Sequence, residues 1–201
     1  MQVRNARKKM NSNNLKCPDR IIDAVLDTDA FNEIDDQFAL SFILRSTEKI
    51  NLKAVVAAPF LNSKVSSEKE GMELSFNEIK KVMNLVRDDF SDSLDFNTFY
   101  GKGLPPVYKG AELFLKNAET PSISEGAKKI IELAKVHSKE NPLYVIAIGA
   151  ITNIASALIM EPEIAEKIVV VWLGGQAHHY EGYKEFNMRQ DIPAAKIIFE
   201  S

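Results

Sequence analysis

Four short apolar runs dominate the chain: "IIDAVLD" (21–27), "NLKAVVAAPF" (51–60), "PLYVIAIG" (142–149) and "VVVWLGG" (169–175). Their length and their β-branched residues suit buried strands. Between them lie stretches with helical spacing at 34–46, 67–86, 122–141 and 151–168, the last interrupted at Pro162. The tail from Ile192 opens a further helix with Pro193 in its first turn. Over 34–46 the apolar spacing falls on Phe38, Ala39, Phe42 and Ile43. Ser122 or Ser124 is the cap of the 122–141 helix. The polar stretch after the second helix carries turn signals at Gly101, Gly103 and Pro105-Pro106. Strands alternating with helices predict an α/β fold with an open, mainly parallel sheet flanked by helices.

In such a sheet ligands bind beyond the carboxyl ends of the strands. Three loops at those ends stand out: an acidic one after 21–27, "GAITN" after 143–148, and "GGQAHHYEGYKEFN" after 169–173. The acidic loop places Asp27, Asp29, Glu33, Asp35 and Asp36 within ten positions. Like charges so close need a cation, a substrate or full solvation. Asp27 and Asp29 lie two apart at a strand end, and Asp35 and Asp36 fall in the first turn of the next helix. Four carboxylates around one point suit a hard cation such as Ca²⁺ or Mg²⁺ rather than zinc. The plain alternative is a solvated, helix-capping turn.

Spacing removes other metal motifs. Counted from Asp27, an EF-hand would need Gly at Asn32 and Glu at Phe38. His178 and His179 are adjacent rather than four apart on a helix, and His137 stands alone at a helix end, so zinc is not expected. Asp27-Thr28-Asp29 also matches the Asp-x-Asp of haloacid dehalogenase-type phosphohydrolases, but Phe31 stands where those have Thr or Val, and the Asp35-Asp36 pair is unexplained.

The totals bound the rest. With 201 residues the chain is enough for one sizeable domain, 20–201, behind a basic, polar leader over 1–19 that is expected to be disordered. A net charge of −3 gives no basic footprint for nucleic acid. Cys17 is the single cysteine, so no internal disulfide forms. The leader has no apolar core of a secretory signal, and no apolar run reaches the ~20 residues that span a bilayer. A cytoplasmic protein without membrane partner is expected, with a homo-oligomer, dimer or tetramer, as its assembly.

The acidic loop resembles the fingerprint of the nucleoside hydrolases, the calcium-dependent family that includes the inosine-uridine preferring enzymes. Their Asp-x-Asp-Pro-Gly-x-Asp-Asp stands here as Asp27-Thr28-Asp29, "AFNEI", Asp35-Asp36. "IGAITNIASAL" (148–158) is similar to the family's Gly-Pro-Leu-Thr-Asn segment. "WLGGQAHHYEGYKEFNMRQDIPAAKIIF" resembles its strand ending in Gly-Gly, with Glu-Phe-Asn and Asp-Pro-x-Ala-Ala following. The three matches occur in the family's order.

The resemblance implies hydrolysis of the N-glycosidic bond of a ribonucleoside or related N-riboside to ribose and free base, as in purine and pyrimidine salvage. It implies Asp29 as Ca²⁺ ligand and general base, Asp36 as second carboxylate ligand, the Thr152 carbonyl as third ligand, and Asp27 in support from beneath. It implies Asp35, Glu185 and Asn187 on the ribose, Phe186 against sugar or base, and His179 and Asn62 as further substrate contacts.

The chain also departs from the pattern. The segment from Asp29 to Asp35 is two residues longer than the family's and lacks its Pro-Gly, so the loop bulges and Asn32 or Glu33 enters the site. "AAPFLN" replaces the Gly-Asn after the second strand, with Asn62 as substitute, and the His-Gly segment has no counterpart in "NAETPSIS". Family members continue well past the position of Ser201, through a His-Asp pair that supplies a proton donor and a further calcium ligand. The expectation is therefore double: a fragment of an active hydrolase, or a natural short form that binds metal and ribose without turnover.

Overall fold

The computed structural model describes residues 18–89, 100, 103–177, 179–180 and 184–201. Most of the leader, Cys17, Gly101 and His178 lie outside the described residues. The described strands are β1 (Ile22–Thr28), β2 (Ile50–Ala57), β3 (Val107–Lys109), β4 (Leu143–Ala147) and β5 (Ile168–Trp172). The helices are α1 (Ile34–Arg45), α2 (Glu68–Asp89), α3 (Glu125–Lys135), α4 (Thr152–Met160), α5 (Phe186–Gln190) and α6 (Ile192–Glu200). A 3-10 turn, Pro162–Glu166, follows α4 where Pro162 ends the regular pattern.

The strands form one parallel sheet in the order β3-β2-β1-β4-β5. The expected α/β architecture is therefore present. From β1 the chain winds outward through β2 and β3, then returns to lay β4 on the opposite side of β1. That reversal puts a crevice between the carboxyl ends of β1 and β4, the place where open sheets of this kind hold ligands. Two backbone hydrogen bonds bring the strand ends into register there: Ile148 N–H donates to the Asp27 carbonyl at 2.9 Å, and Ala58 N–H to the Thr28 carbonyl at 2.8 Å.

Side chains alternate across the sheet and build a core on each face. Val25, Val56, Val145 and Ala147 pack with Ile130 of α3, Ile151, Ile154 and Leu158 around α4, and Ala194 of α6. Leu26, Leu52, Val55 and Ala57 pack on the other face with Leu40, Ile43 and Leu44 of α1 and Met72, Ile79 and Met83 of α2. Ser124, not Ser122, caps α3, its hydroxyl accepting from Ala127 N–H at 3.1 Å. The helix ends at Lys135, ahead of the predicted 141.

Two elements differ from the sequence expectation. β3 was hidden in the polar stretch, because three residues joined to one neighbouring strand carry too little apolar signal. α1 also faces a different way. Its buried residues are Asp36, Leu40, Ile43 and Leu44, whereas Phe38 and Phe42 are each 70% exposed. "FALSFIL" is apolar nearly all round, so periodicity alone cannot orient it. Asp36 decides the matter, because turning it toward the crevice brings Leu40, Ile43 and Leu44 onto the sheet.

That orientation predicts a sharp contrast. Leu40→Ala is expected to cost about 2–5 kcal/mol of unfolding free energy in urea. Phe38→Ala is expected to stay within about 0.5 kcal/mol. A loss at Phe38 equal to that at Leu40 would show the helix turned as the bare spacing suggested.

Candidate active site

The crevice holds a cavity of about 150 Å³ lined by Asp29, Asn32, Glu33, Asp35, Asp36, Ile148, Leu173, Glu185, Phe186 and Asn187. Residues far apart in sequence, from the ends of β1, β4 and β5, thus meet in one place. Six of the residues singled out from sequence lie on its wall: Asp29, Asp35, Asp36, Glu185, Phe186 and Asn187. The longer loop also behaves as expected, since Asn32 and Glu33 both reach the cavity.

Each buried carboxylate is met by a neutral donor. Asp36 Oδ1 accepts from the Thr28 hydroxyl at 2.5 Å, and Asp29 Oδ2 accepts from Asn32 Nδ2 at 3.1 Å. Asp27 lies beneath the cavity, fully buried. Its Oδ1 accepts from Asn153 Nδ2 at 2.8 Å while its Oδ2 has no partner. Among the described residues no Lys, Arg or His pairs with Asp27, Asp29, Asp35 or Asp36. Burial therefore dominates their titration. It pushes the Asp27 carboxyl up to about 7 against the Asn153 bond, and the Asp36 carboxyl up to about 6 against the Thr28 bond. Asp29 is also raised well above the ordinary range, first by burial and then by the charge of Asp36.

Thr152 and Asn153 open α4 without capping it. The residue at the cap position is Ile151, with no side-chain cap. The Thr152 hydroxyl donates to Asp191 Oδ2 at 2.7 Å, inside the protein and away from the cavity wall. Asp191 also accepts from Leu115 N–H at 2.9 Å and Ala194 N–H at 3.0 Å, joining three segments at the start of α6. Asn153 is a second hub: it holds Asp27 and accepts from Ala111 N–H at 2.8 Å and the Ser124 hydroxyl at 3.2 Å. Neither Asp191 nor the hub role of Asn153 stood out in the sequence, where a capping Asp or Asn leaves the same trace.

The far wall is made by side chains already engaged with backbone. Glu185 caps α5: Oε1 accepts from Asn187 N–H at 2.8 Å, and Oε2 accepts from Met188 N–H at 2.8 Å and Gly175 N–H at 2.7 Å. Asn187 Nδ2 donates to the carbonyls of Ile148 at 3.0 Å and Leu173 at 2.8 Å. Gly175 has φ +80, which a glycine adopts without strain and which lets its N–H reach Glu185. His179 lies off the cavity, exposed and against the Tyr180 ring at 4.4 Å. Asn62 reaches the cavity only through Asn32, whose Oδ1 accepts from Asn62 Nδ2 at 2.7 Å. The single tryptophan, Trp172, donates to the Gly149 carbonyl at 3.0 Å. A Cβ on Gly149 would lie 2.7 Å from Asp29 Oδ1, so Trp172 senses the site from one residue away.

As a chemical instrument the cavity offers oxygen donors, uncompensated negative charge, a proton acceptor of raised basicity in Asp29, and one aromatic face in Phe186. Among the described residues no three Asp, Glu, His or Cys side chains close on a single point tightly enough to hold an ion by themselves. The chemistry of the donors still fits a hard cation, because the charge of Asp36 adds to burial at Asp29 and, among the described residues, no Lys, Arg or His pairs with either.

Comparison with known proteins agrees with this geometry. Residues 79–201 match the family model of the inosine-uridine preferring nucleoside hydrolases. A probable ribonucleoside hydrolase of Dictyostelium discoideum is 28% identical over 85 residues, covering 41% of this chain and 25% of that protein. Among solved structures, a purine-preferring ribonucleoside hydrolase from Gardnerella vaginalis superposes with a TM-score of 0.58 at 21% identity, over 88% of this chain and 57% of its own length. An inosine-uridine preferring nucleoside hydrolase from Bacillus anthracis gives 0.55 at 18%, over 90% and 62%. The chain thus spans well under two thirds of the length of these relatives. With a family match over more than half its residues and the same fold, this chain belongs to the inosine-uridine preferring nucleoside hydrolase family.

Proposed function

We propose that this chain carries the ribose- and metal-binding half of an N-riboside hydrolase site, using Ca²⁺ and cleaving a ribonucleoside or related N-riboside to ribose and free base. The observation that supports it is the meeting of Asp29, Asp35 and Asp36 with Glu185, Phe186 and Asn187 around one cavity. In this reading Asp29 and Asp36 hold the cation, with the Thr152 carbonyl and Asp27 in support. When bound, Ca²⁺ supplies positive charge that makes a nearby water more acidic.

Asp29 would accept a proton from a water in the cavity as that water attacks the anomeric carbon from the side opposite the base, which would leave with the bonding electron pair and take up a proton from solvent. Asp35, exposed at the cavity mouth, binds ribose hydroxyls. Among the described residues Asn187 Oδ1 has no donor, its Nδ2 alone being engaged, and it would serve as an acceptor. The N-glycosidic bond breaks with oxocarbenium-like positive charge on the sugar, and buried carboxylates close to it lower that barrier. Phe186 covers the sugar or base. The small-molecule substrate, the cytoplasmic setting and the absence of nucleic-acid or membrane partners belong to the same proposal; no described helix is long and apolar enough to cross a membrane.

The alternative reading is a form that binds metal and ribose without turnover. Release of reducing sugar from a nucleoside panel, in Ca²⁺ against EGTA, separates the two. Asp29→Asn is expected to lower turnover by about 10²–10⁴-fold with the thermal midpoint retained. Near-normal turnover in that variant would remove Asp29 from its role, and release of phosphate from phosphate esters would favour the phosphohydrolase. Asp35→Ala is expected to raise KM for the nucleoside while leaving the Ca²⁺-induced shift of the midpoint in place, and equal damage to both would undo that division.

The pH dependence of stability follows from the raised carboxyls. Asp27 and Asp36 hold their protons in the folded protein to about 7 and about 6, against an unfolded value of 3.8. The folded state binds more protons across that window, so stability is highest below about 4 and falls as pH rises toward 7. Thermal midpoints in EGTA are expected to follow this decline, and millimolar Ca²⁺ is expected to flatten it, because cation binding favours the ionised forms. A flat profile in EGTA would mean that these two carboxyls are not buried together.

A further inference from the structure

A chain of amide hydrogen bonds runs from the loop after β2 to Asp29, and its direction is fixed. Amide oxygen and nitrogen look alike, so orientation has to come from the partners. The Lys64 backbone N–H donates to Asn62 Oδ1 at 2.8 Å, and a backbone N–H cannot accept. Asn62 must therefore turn its Nδ2 outward, where it donates to Asn32 Oδ1 at 2.7 Å. Asn32 in turn has only its Nδ2 left for Asp29 Oδ2, at 3.1 Å. The backbone follows the same path: Asn32 N–H donates to the Asp29 carbonyl at 2.7 Å, and Lys64 Nζ donates to the Asn32 carbonyl.

We propose that Asn32, oriented by Asn62, is a positioning residue that ties Asp29 Oδ2 back to the protein and leaves Oδ1 as the oxygen that works in the cavity. The proposal rests on the reading of Asp29 as the base. On its other side Oδ1 lies so close over Gly149 that no side chain fits there. A tether on one oxygen and a tight wall beside the other stop the carboxylate from rotating. Asn32 is itself buried at 4% exposure, within the segment where this chain departs from the Pro-Gly pattern. The longer loop thereby brings its own means of aiming the carboxylate, and Asn62 acts on the substrate at second hand.

The test combines an activity-free readout with kinetics on the full chain. Side-chain amide signals of Asn32 in ¹⁵N-labelled protein are assigned by their loss in Asn32→Ala. In Asn62→Ala they are expected to shift and exchange faster with water while the backbone spectrum persists. Unchanged Asn32 signals in Asn62→Ala would overturn the relay. In the hydrolysis assay, either variant is expected to lose roughly 10- to 100-fold in kcat with KM within about twofold. The double variant is expected to be no worse than Asn32→Ala alone, as residues acting through one contact are non-additive. A raised KM with unchanged kcat in Asn62→Ala would make Asn62 a direct sugar contact and overturn its role as aligner. Should the wild-type chain show no hydrolysis at all, the proposed function fails while the amide signals still decide the relay.

Discussion

Everything at this end of the molecule depends on carboxylates that are buried, among the described residues, without a Lys, Arg or His beside them. Asp27, Asp29 and Asp36 sit where the sheet reverses its winding, near walls formed by the starts of α1 and α5. Burying a charge without a partner is costly, and a protein normally answers with Lys or Arg. Here the answers are Thr28, Asn32 and Asn153, each a neutral donor. Such donors fix where a carboxylate points without cancelling its charge. The site is therefore shaped in advance and left electrostatically unfinished, a state suited to taking up a cation or a sugar that becomes positive.

The polar hubs explain how that state is held. Asn153 spends its side chain on Asp27, the 111 backbone and the α3 cap, so the carboxylate beneath the cavity is braced by two further segments. Asp191 does the same for Thr152, the 115 backbone and α6. These hubs are buried and hydrogen-bonded, which is the condition for polar groups to rigidify a core rather than weaken it. The two hubs meet at consecutive residues at the start of α4, Asn153 itself and Thr152, which Asp191 holds. Segments from across the second half of the chain converge there on the end of β1.

Much of this was legible in the sequence for a specific reason. Parallel strands buried on both faces read as continuous apolar runs, and the acidic loop after β1 is too dense in charge for an ordinary turn. Those two signals place Asp29, Asp35 and Asp36 at a strand end and a helix start, where they are found. What stayed hidden shares one property: its signal depends on tertiary partners. α1 could not be oriented until Asp36 had a cavity to face, β3 is too short to carry a pattern, and Asn153 and Asp191 look like caps until the segments they join are in place. His179, which the family resemblance implied as a substrate contact, is exposed and lies against the Tyr180 ring.

The far wall adds a constraint on how a ligand can enter. Glu185 gives both oxygens to backbone N–H groups and Asn187 gives both amide protons to carbonyls, so neither is idle. A sugar hydroxyl that donates to Glu185 must share an oxygen already bonded, whereas one that donates to Asn187 Oδ1 meets an acceptor without a competing donor. Carboxylate oxygens have lone pairs to spare, so sharing is possible without breaking the α5 cap. It follows that this wall recognises hydroxyl donors and not acceptors, since every N–H on Asn187 Nδ2 is spent. Together with the acidic wall opposite, the cavity presents acceptors on both sides. Under the proposed function a polyhydroxylated ring that becomes cationic would satisfy both walls, whereas a phosphate ester would bring negative charge and acceptor oxygens to both.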